Sequence, residues 1–508
     1  MEKKRTSRSL KACLILGLCL TFCDPQESAP EDEELVLLQT HLGFLASDNL
    51  AGRLIGSPGC QKAEEYISQC FRQHGLYLLK GMADYSWHFQ LKSIGFDRQT
   101  SFFKIDCEVS EIEFQYGLDF IPLRLGSVGA AEGELVFVGY GLKDDSYGYD
   151  DYEGLEVKDK IVLALRGEPR FIHSNSDCLP VYHSFSQLYK KVELAAKLKA
   201  KAIVFISPPS LLATDDDALL EEKIYFLYGS KPDANLSLCW GSIPAVFATR
   251  DLAQALFGLL PASAESIEQA LENRQKALSF KTTPTKVKLS CQKSSTPDLI
   301  ACHNIVGLLP ALNPAIPGRY ILICAHHDHL GQGIGTGDTI FNGADDNASG
   351  VATLLYLMQF LSRQRLRHSF LFVTFSAEEC GLFGSQAFAF KAEPDLKQIR
   401  YVINLDMLGR NPQNELSVLS KTTKLSKLSK IFEFLSKEDV AIIKEEPPFT
   451  MTTDDYWFAQ LGVDTFYFSS RPHADYHTVN DEAERIAYHT LAKRARIIKD
   501  FLIFLDSL

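Results

Sequence analysis

Positive charge is in short supply in this chain. Its net charge is −12, which excludes a general binder of nucleic acid or of anionic membranes. The apolar run nearest the N-terminus, Ala12–Phe22, has 11 residues, too few to cross a bilayer as a helix. Paired CxxC motifs are missing. Of 12 cysteines, Cys13, Cys19 and Cys23 lie in or beside that run and the other nine are scattered. They read as buried free thiols rather than a disulfide framework or thiolate metal ligands. No repeat of about 20–50 residues occurs, so a solenoid or propeller is excluded. What is there is globular: 46% hydrophobic and 23% charged residues over 508 positions. That length suits two or three domains with a sizeable core.

The N-terminus reads as targeting. Lys3, Lys4, Arg5, Arg8 and Lys11 precede the apolar run, the order of a signal peptide. Residues 1–23 are therefore expected to be a leader and the chain to be exported to the periplasm, the cell envelope or the medium. Cys23 is a candidate lipid anchor, although Phe22 makes Leu20-Thr21-Phe22-Cys23 a poor lipobox. Leader or lipid would be the only route to a membrane. Residues 24–34 read as an acidic, Pro-containing tether.

Apolar periodicity predicts helices at 35–45 and 63–75, separated by the turn-rich Gly52–Gly59. These belong to an N-terminal part, 35–120. Between 121 and 285 short β-like runs dominate, such as Gly133–Gly139, Ile161–Leu165 and Ala202–Ile206, around one helical stretch, Leu188–Leu198. An inserted β-rich domain is the expectation. From 298 to 508 strand and helix alternate: Tyr320–Ala325, Gly350–Leu361, Ser369–Phe375, Ser385–Lys391 and Tyr401–Leu405. That alternation predicts an α/β fold with a mixed, mainly parallel central sheet flanked by helices. In such sheets ligands gather beyond the carboxyl ends of the strands.

Chemistry-bearing residues fall at those ends. His326-His327-Asp328, Asp345-Asp346 and Glu378-Glu379 lie within Tyr320–Ser385. Asn404-Leu405-Asp406 and His473–His477 follow. Taken singly, each has a plain reading: a solvated histidine (His327 and His329 included), an exposed Glu-Glu pair, or a helix cap. Together, His326, Asp346, Glu379, Asp406 and His477 supply imidazole nitrogen and carboxylate oxygen suited to Zn²⁺, with Mn²⁺ or Co²⁺ as alternatives. Five such residues serve two ions only if one carboxylate bridges. Asp346 is the expected bridge, because it lies at a turn before a helix, where N–H groups favour a carboxylate. Glu378 diverges from its neighbour and is left free as general base and acid. Asp328 is placed to orient the His326 imidazole, and Tyr476 to donate to a developing oxyanion.

These residues stand in recognisable text: Ala325-His326-His327-Asp328, Asn342–Gly350, Ala377–Ser385, Asn404–Met407 and Tyr476-His477-Thr478. The text resembles the co-catalytic zinc peptidases that include bacterial secreted aminopeptidases, glutamate carboxypeptidases and glutaminyl cyclases. The resemblance covers most of 298–508. Leu45–Arg53 resembles the N-terminal part of the same bacterial peptidases. Gly139-Tyr140-Gly141 and Asp150–Leu155 resemble, more loosely, the protease-associated domain often inserted in them. The family implies two Zn²⁺ per chain, one held by His326, Asp346 and Asp406, the other by Asp346, Glu379 and His477. It further implies Glu378 as base on a water bridging the ions and Tyr476 as a transition-state stabiliser. One position departs from it: Asp455 stands where relatives often carry a histidine.

The function expected is that of an exported aminopeptidase acting on the N-termini of peptides or proteins. A glutamate-carboxypeptidase-type enzyme is the alternative on the same metals, with Arg410 and Arg471 as candidate carboxylate binders. A glutaminyl-cyclase-like transferase fits less well, because the full five-ligand set favours two ions. A non-catalytic receptor-like protein would be expected to have lost ligands, and none is missing.

Overall fold

The computed structural model describes residues 30–107, 110–144, 148–167, 185–209, 224–227, 242–272, 279–312, 319–334, 337–391, 398–413, 416–422, 428–438, 440–445 and 451–508. The expected leader and Cys23 lie outside these residues.

Two sheets organise the chain. The first has nine strands among the described residues. In spatial order they are Ile224–Leu227, Ser86–Ile94, Asp298–Leu309, Ser369–Phe375, Tyr320–His326, Ile399–Leu405, Asp464–Ser469, Leu416–Lys421 and Val440–Glu445. Its middle four strands, Ser369–Phe375 through Asp464–Ser469, are mutually parallel. Their neighbours on either side, Asp298–Leu309 and Leu416–Lys421, run antiparallel to them. The sheet is thus mixed with a parallel centre, as the strand–helix alternation predicts. The central strands are near-continuous Ile, Leu, Val and Phe, and Ile321, Leu322, Phe370, Leu371, Val402 and Ile403 are fully buried. A sequence with no polar face can form a strand only where both faces are covered.

Helices supply the cover. Gly350–Leu361 is apolar nearly all round and buried along its length. It packs under the sheet beside Pro30–Leu45 and Tyr488–Ser507. Helix Pro58–Gln73 buries Ala63, Ile67, Cys70 and Phe71 on one face, and the Ser57 side chain accepts from Cys60 N at its start, an N-cap of the usual kind. Both N-terminal helices match the periodicity. Pro30–Leu45 begins inside the stretch expected to be a tether.

The second sheet has eight strands among the described residues: Ser110–Phe114, Phe102–Cys107, Ser279–Cys291, Gly129–Val138, Ile161–Leu165, Ala202–Ile206, Ala245–Ala248 and Phe120–Pro122. It surrounds its own core, including Phe137, Val162, Val204 and Phe247. It opens at Phe102 and closes at Cys291, beyond both expected limits of 121 and 285. The reason lies in pairing across long sequence separation: Phe102–Cys107 is a partner of Ser279–Cys291, which no local pattern reveals. Ile224–Leu227 leaves this unit and pairs with Ser86–Ile94 at the edge of the first sheet.

Phe372 is fully buried on a central strand and meets Phe71 of helix Pro58–Gln73 edge to face at 6.5 Å. Phe372→Ala is expected to lower the unfolding free energy by about 3–5 kcal/mol, read as a lower urea midpoint at unchanged slope.

Candidate metal centre

Each strand end delivers its residue by a local device. His326 closes the strand Tyr320–His326. Asp406 follows directly on Ile399–Leu405. After Ser369–Phe375, Ala377 takes a left-handed φ of 63°, a costly conformation for a residue with a Cβ. It turns the chain sharply so that Glu378 and Glu379 both face the site. Asp346 lies in the tight turn Ala344–Ser349 between Gly343 and the helix Gly350–Leu361. A Cβ at Gly343 would meet Asp346 O at 2.2 Å and His329 Cδ2 at 2.4 Å, and at Gly350 it would meet Leu405 O at 2.4 Å. Both positions therefore need glycine for close approach.

The five residues named as ligands converge. His326 Nε2 stands 3.2 Å from Asp346 Oδ1 and 3.5 Å from Asp406 Oδ1. His477 Nε2 stands 3.1 Å from Asp346 Oδ2 and 3.2 Å from Glu379 Oε2. The two oxygens of Asp346 thus face two different imidazoles. Asp406 Oδ1 and His477 Nε2 are buried atoms without a hydrogen-bond partner, although opposite groups lie so near. Donor atoms that approach to this spacing without hydrogen-bonding suit ligands of a shared ion, since bonds of about 2.0–2.2 Å put tetrahedral ligands roughly 3.4 Å apart. The residues present therefore fit divalent metal.

Electrostatics follow from the crowding. Burial works against charge on Asp346, but His326 and His477 outweigh it and hold this carboxyl well below the usual range. Glu379 is brought down to about 2: burial and Asp346 oppose its charge, while His477 and His329 favour it and win. Glu378 goes the other way. Burial, with Glu379, Asp454 and Asp406 nearby, pushes it well above the usual carboxylate range. Two adjacent glutamates are thus driven apart in proton affinity by their surroundings. Burial and the surrounding carboxylates likewise keep the Tyr476 phenol protonated. Its ring stacks on His477 with centroids 3.8 Å apart.

Asp328 reaches its neighbours differently from the expectation. Its backbone carbonyl, not its carboxylate, is the nearer group to His326 Nδ1, at 3.2 Å against 4.0 Å. The carboxylate instead accepts from Glu378 N at 3.2 Å, so its direct hold is on the base. Asp346 does not occupy the N–H groups of its own turn. Those of Asp345 and Asp346 donate to Asp481, at 3.0 Å each.

Asp481 and His329 are the site residues that sequence reasoning missed. His329 is 1% exposed and its Nδ1 lies 2.6 Å from Glu379 Oε1, so it is no solvated histidine. Its position three residues after His326 was the available signal. Nothing local marks Asp481. Asp454, also buried, is pushed up to about 7, chiefly by burial. The departing residue Asp455 binds no candidate ligand. It forms a fully buried ion pair with Lys421 at 3.2 Å and accepts from Thr453 and Thr465 Oγ1 at 2.5 and 2.7 Å.

Fold and donor set together define a metallopeptidase-type centre on an α/β sheet, the class of the co-catalytic zinc peptidases. More particularly, residues 304–502 match the model of Peptidase family M28. Leucine aminopeptidase 1 of Trichophyton equinum is 32% identical over 114 residues, 21% of this chain and 29% of that protein. A vacuolar membrane protease of Candida albicans (strain WO-1) is 32% identical over 111 residues, 22% of this chain and 11% of that protein. The matched stretch thus spans less than a third of the length of these curated relatives. Among solved structures, a zinc aminopeptidase from Bacillus subtilis superposes with a TM-score of 0.56 at 17% identity, covering 93% of this chain and 95% of that one. The aminopeptidase from Aneurinibacillus sp. strain AM-1 gives 0.51 at 22% identity, covering 92% and 93%. At these identities the structures show a shared fold over nearly the whole chain.

Two outcomes test the supporting residues. Asp481→Ala frees the N–H groups behind Asp346 and is expected to weaken metal affinity about 10–100-fold, measured by competition with a chromophoric chelator. Lys421→Met leaves Asp455 buried without its partner and is expected to cost about 3–5 kcal/mol, measured by chemical denaturation.

Proposed function

We propose that this protein is an exported metal-dependent aminopeptidase that removes N-terminal residues from peptides, with two zinc ions per chain. The observation that carries the reading is Asp346, whose two carboxylate oxygens each face a separate imidazole at 3.2 and 3.1 Å. His326, Asp346 and Asp406 would hold one ion, and Asp346, Glu379 and His477 the other. When bound, such ions activate water and polarise the scissile carbonyl.

The chain's own residues do the rest. Glu378, with its raised proton affinity, takes the proton from the attacking water and returns it to the departing amine. Asp328 fixes the backbone of Glu378 through its N–H. Tyr476, kept protonated, donates to the oxygen that gains charge. The carboxylates around the centre offer a counter-charge to a substrate's free ammonium. Of the two arginines considered as carboxylate binders, Arg410 is already paired with Asp475 and Arg471 Nε donates to Ser417 Oγ at 2.7 Å. That commitment favours the aminopeptidase over the carboxypeptidase reading. The similarity of Gly139–Gly141 and Asp150–Leu155 to a protease-associated domain adds to the picture of an exported peptidase. Among the described residues no helix is long and apolar enough to cross a membrane.

Glu378→Gln is expected to cut turnover by at least about 10²–10⁴-fold while metal content stays near that of the wild type. Wild-type rates in this variant would remove Glu378 as the base. Profiling a peptide library with and without chelator is expected to show N-terminal trimming that chelation abolishes. C-terminal trimming would replace the aminopeptidase with the carboxypeptidase.

A further inference from the structure

A second group of ligand-type side chains lies outside the centre just described. Helix Pro58–Gln73 carries Cys60 and Glu64 four residues apart, hence on one face. His327 comes to the same place from the end of the strand Tyr320–His326. Cys60 Sγ stands 3.7 Å from Glu64 Oε1, and His327 Nε2 stands 3.6 Å from that oxygen. One donor atom from each lies within 4.8 Å of the others. All three residues are buried, at 0%, 8% and 1% exposure.

His327 supplies the independent observation. Its Nδ1 is 3.1 Å from Thr374 Oγ1, which fixes the ring. Its Nε2 is buried with no hydrogen-bond partner and points at Glu64. An unsatisfied buried nitrogen costs free energy unless something occupies its lone pair. The other carboxylate oxygen of Glu64 is oriented by His303 Nδ1 at 2.8 Å, the kind of outer hydrogen bond that metal-ligating groups receive. A surface cleft of about 670 Å³, lined by Glu64, His303, Glu65, Asp84, Gln69 and Arg72, opens on the Glu64 side of the group. The positive charge of buried Arg53 is turned to carbonyl oxygens of His327, Asn342, Gly343 and Leu45.

We propose that Cys60, Glu64 and His327 form a zinc site separate from the peptidase centre, with water as fourth ligand. Thiolate, imidazole and carboxylate together select Zn²⁺ over Mg²⁺ or Ca²⁺. On binding, the thiol proton leaves to solvent and an S–Zn bond forms, so thiolate and carboxylate neutralise the ion. The site would staple the helix Pro58–Gln73 to the strand that presents His326, and so hold that candidate ligand from behind. It departs from the reading of every cysteine as an inert thiol.

No candidate ligand of the peptidase centre is a thiolate, which makes cobalt a selective probe. Full-length protein stripped of metal and reloaded with Co²⁺ is expected to show a near-ultraviolet thiolate-to-cobalt charge-transfer band. Cys60→Ser is expected to lose that band and to bind one ion fewer per chain, while His477→Ala keeps the band. A wild-type protein without the band overturns the site, and so does a Cys60→Ser protein that binds as many ions as the wild type. If Cys60→Ser does not fold, the wild-type spectrum and the ion count of Glu64→Gln decide in the same way.

Discussion

Asp346 turns one carboxylate oxygen to each of two imidazoles, and leaves the N–H groups of its own turn to another acceptor. Most of the surrounding structure follows from that arrangement. Asp481 accepts from the N–H groups of Asp345 and Asp346 and so holds the turn from behind. Gly343 and Gly350 allow the turn to press against His329 and Leu405. Asn347 ties it to the next strand, donating to Leu405 O at 2.9 Å and accepting from Gly350 N at the same distance. With the turn fixed, the direction of the Asp346 carboxylate is fixed, and His326 and His477 are brought to either side of it.

The same crowding separates the two glutamates. Glu379 is flanked by His477 and His329 and is held ionised. At Glu378 burial, with Glu379, Asp454 and Asp406, outweighs the opposing effect of His326 and raises its proton affinity. Two adjacent residues thus differ in proton affinity, and the left-handed Ala377 makes the chain turn just before them. Burial here is destabilising in itself, since charges are removed from water. The buried Lys421–Asp455 pair and the Thr453 and Thr465 hydroxyls show what is needed to hold one such carboxylate.

Much of this was legible beforehand. Three of the four central strands and the helix Gly350–Leu361 were read within one or two residues, because a buried parallel strand is continuously apolar and a buried helix likewise; the fourth, Asp464–Ser469, was not read. The two N-terminal helices followed from their apolar spacing. The second sheet was less legible: Phe102–Cys107 pairs with Ser279–Cys291 across about 180 residues, and Ile224–Leu227 crosses to the other sheet. Strand partners at that separation leave no local trace. The role of Asp328 was read correctly as to place but not as to partner, since the spacing to His326 says nothing about which of its oxygens faces the ring.

The sequence by itself determined the α/β alternation, the strand-end positions of the ligand-type residues and their resemblance to a peptidase family, because periodicity and motif text are local properties. Only the tertiary structure decided that Asp481 supports Asp346, that His329 holds Glu379, and that Cys60 and Glu64 face His327. Each of these joins residues more than 45 positions apart. Their meeting depends on how the sheet stacks its strands and where the helices come down on it, which is fixed by packing over the whole core rather than by any one segment.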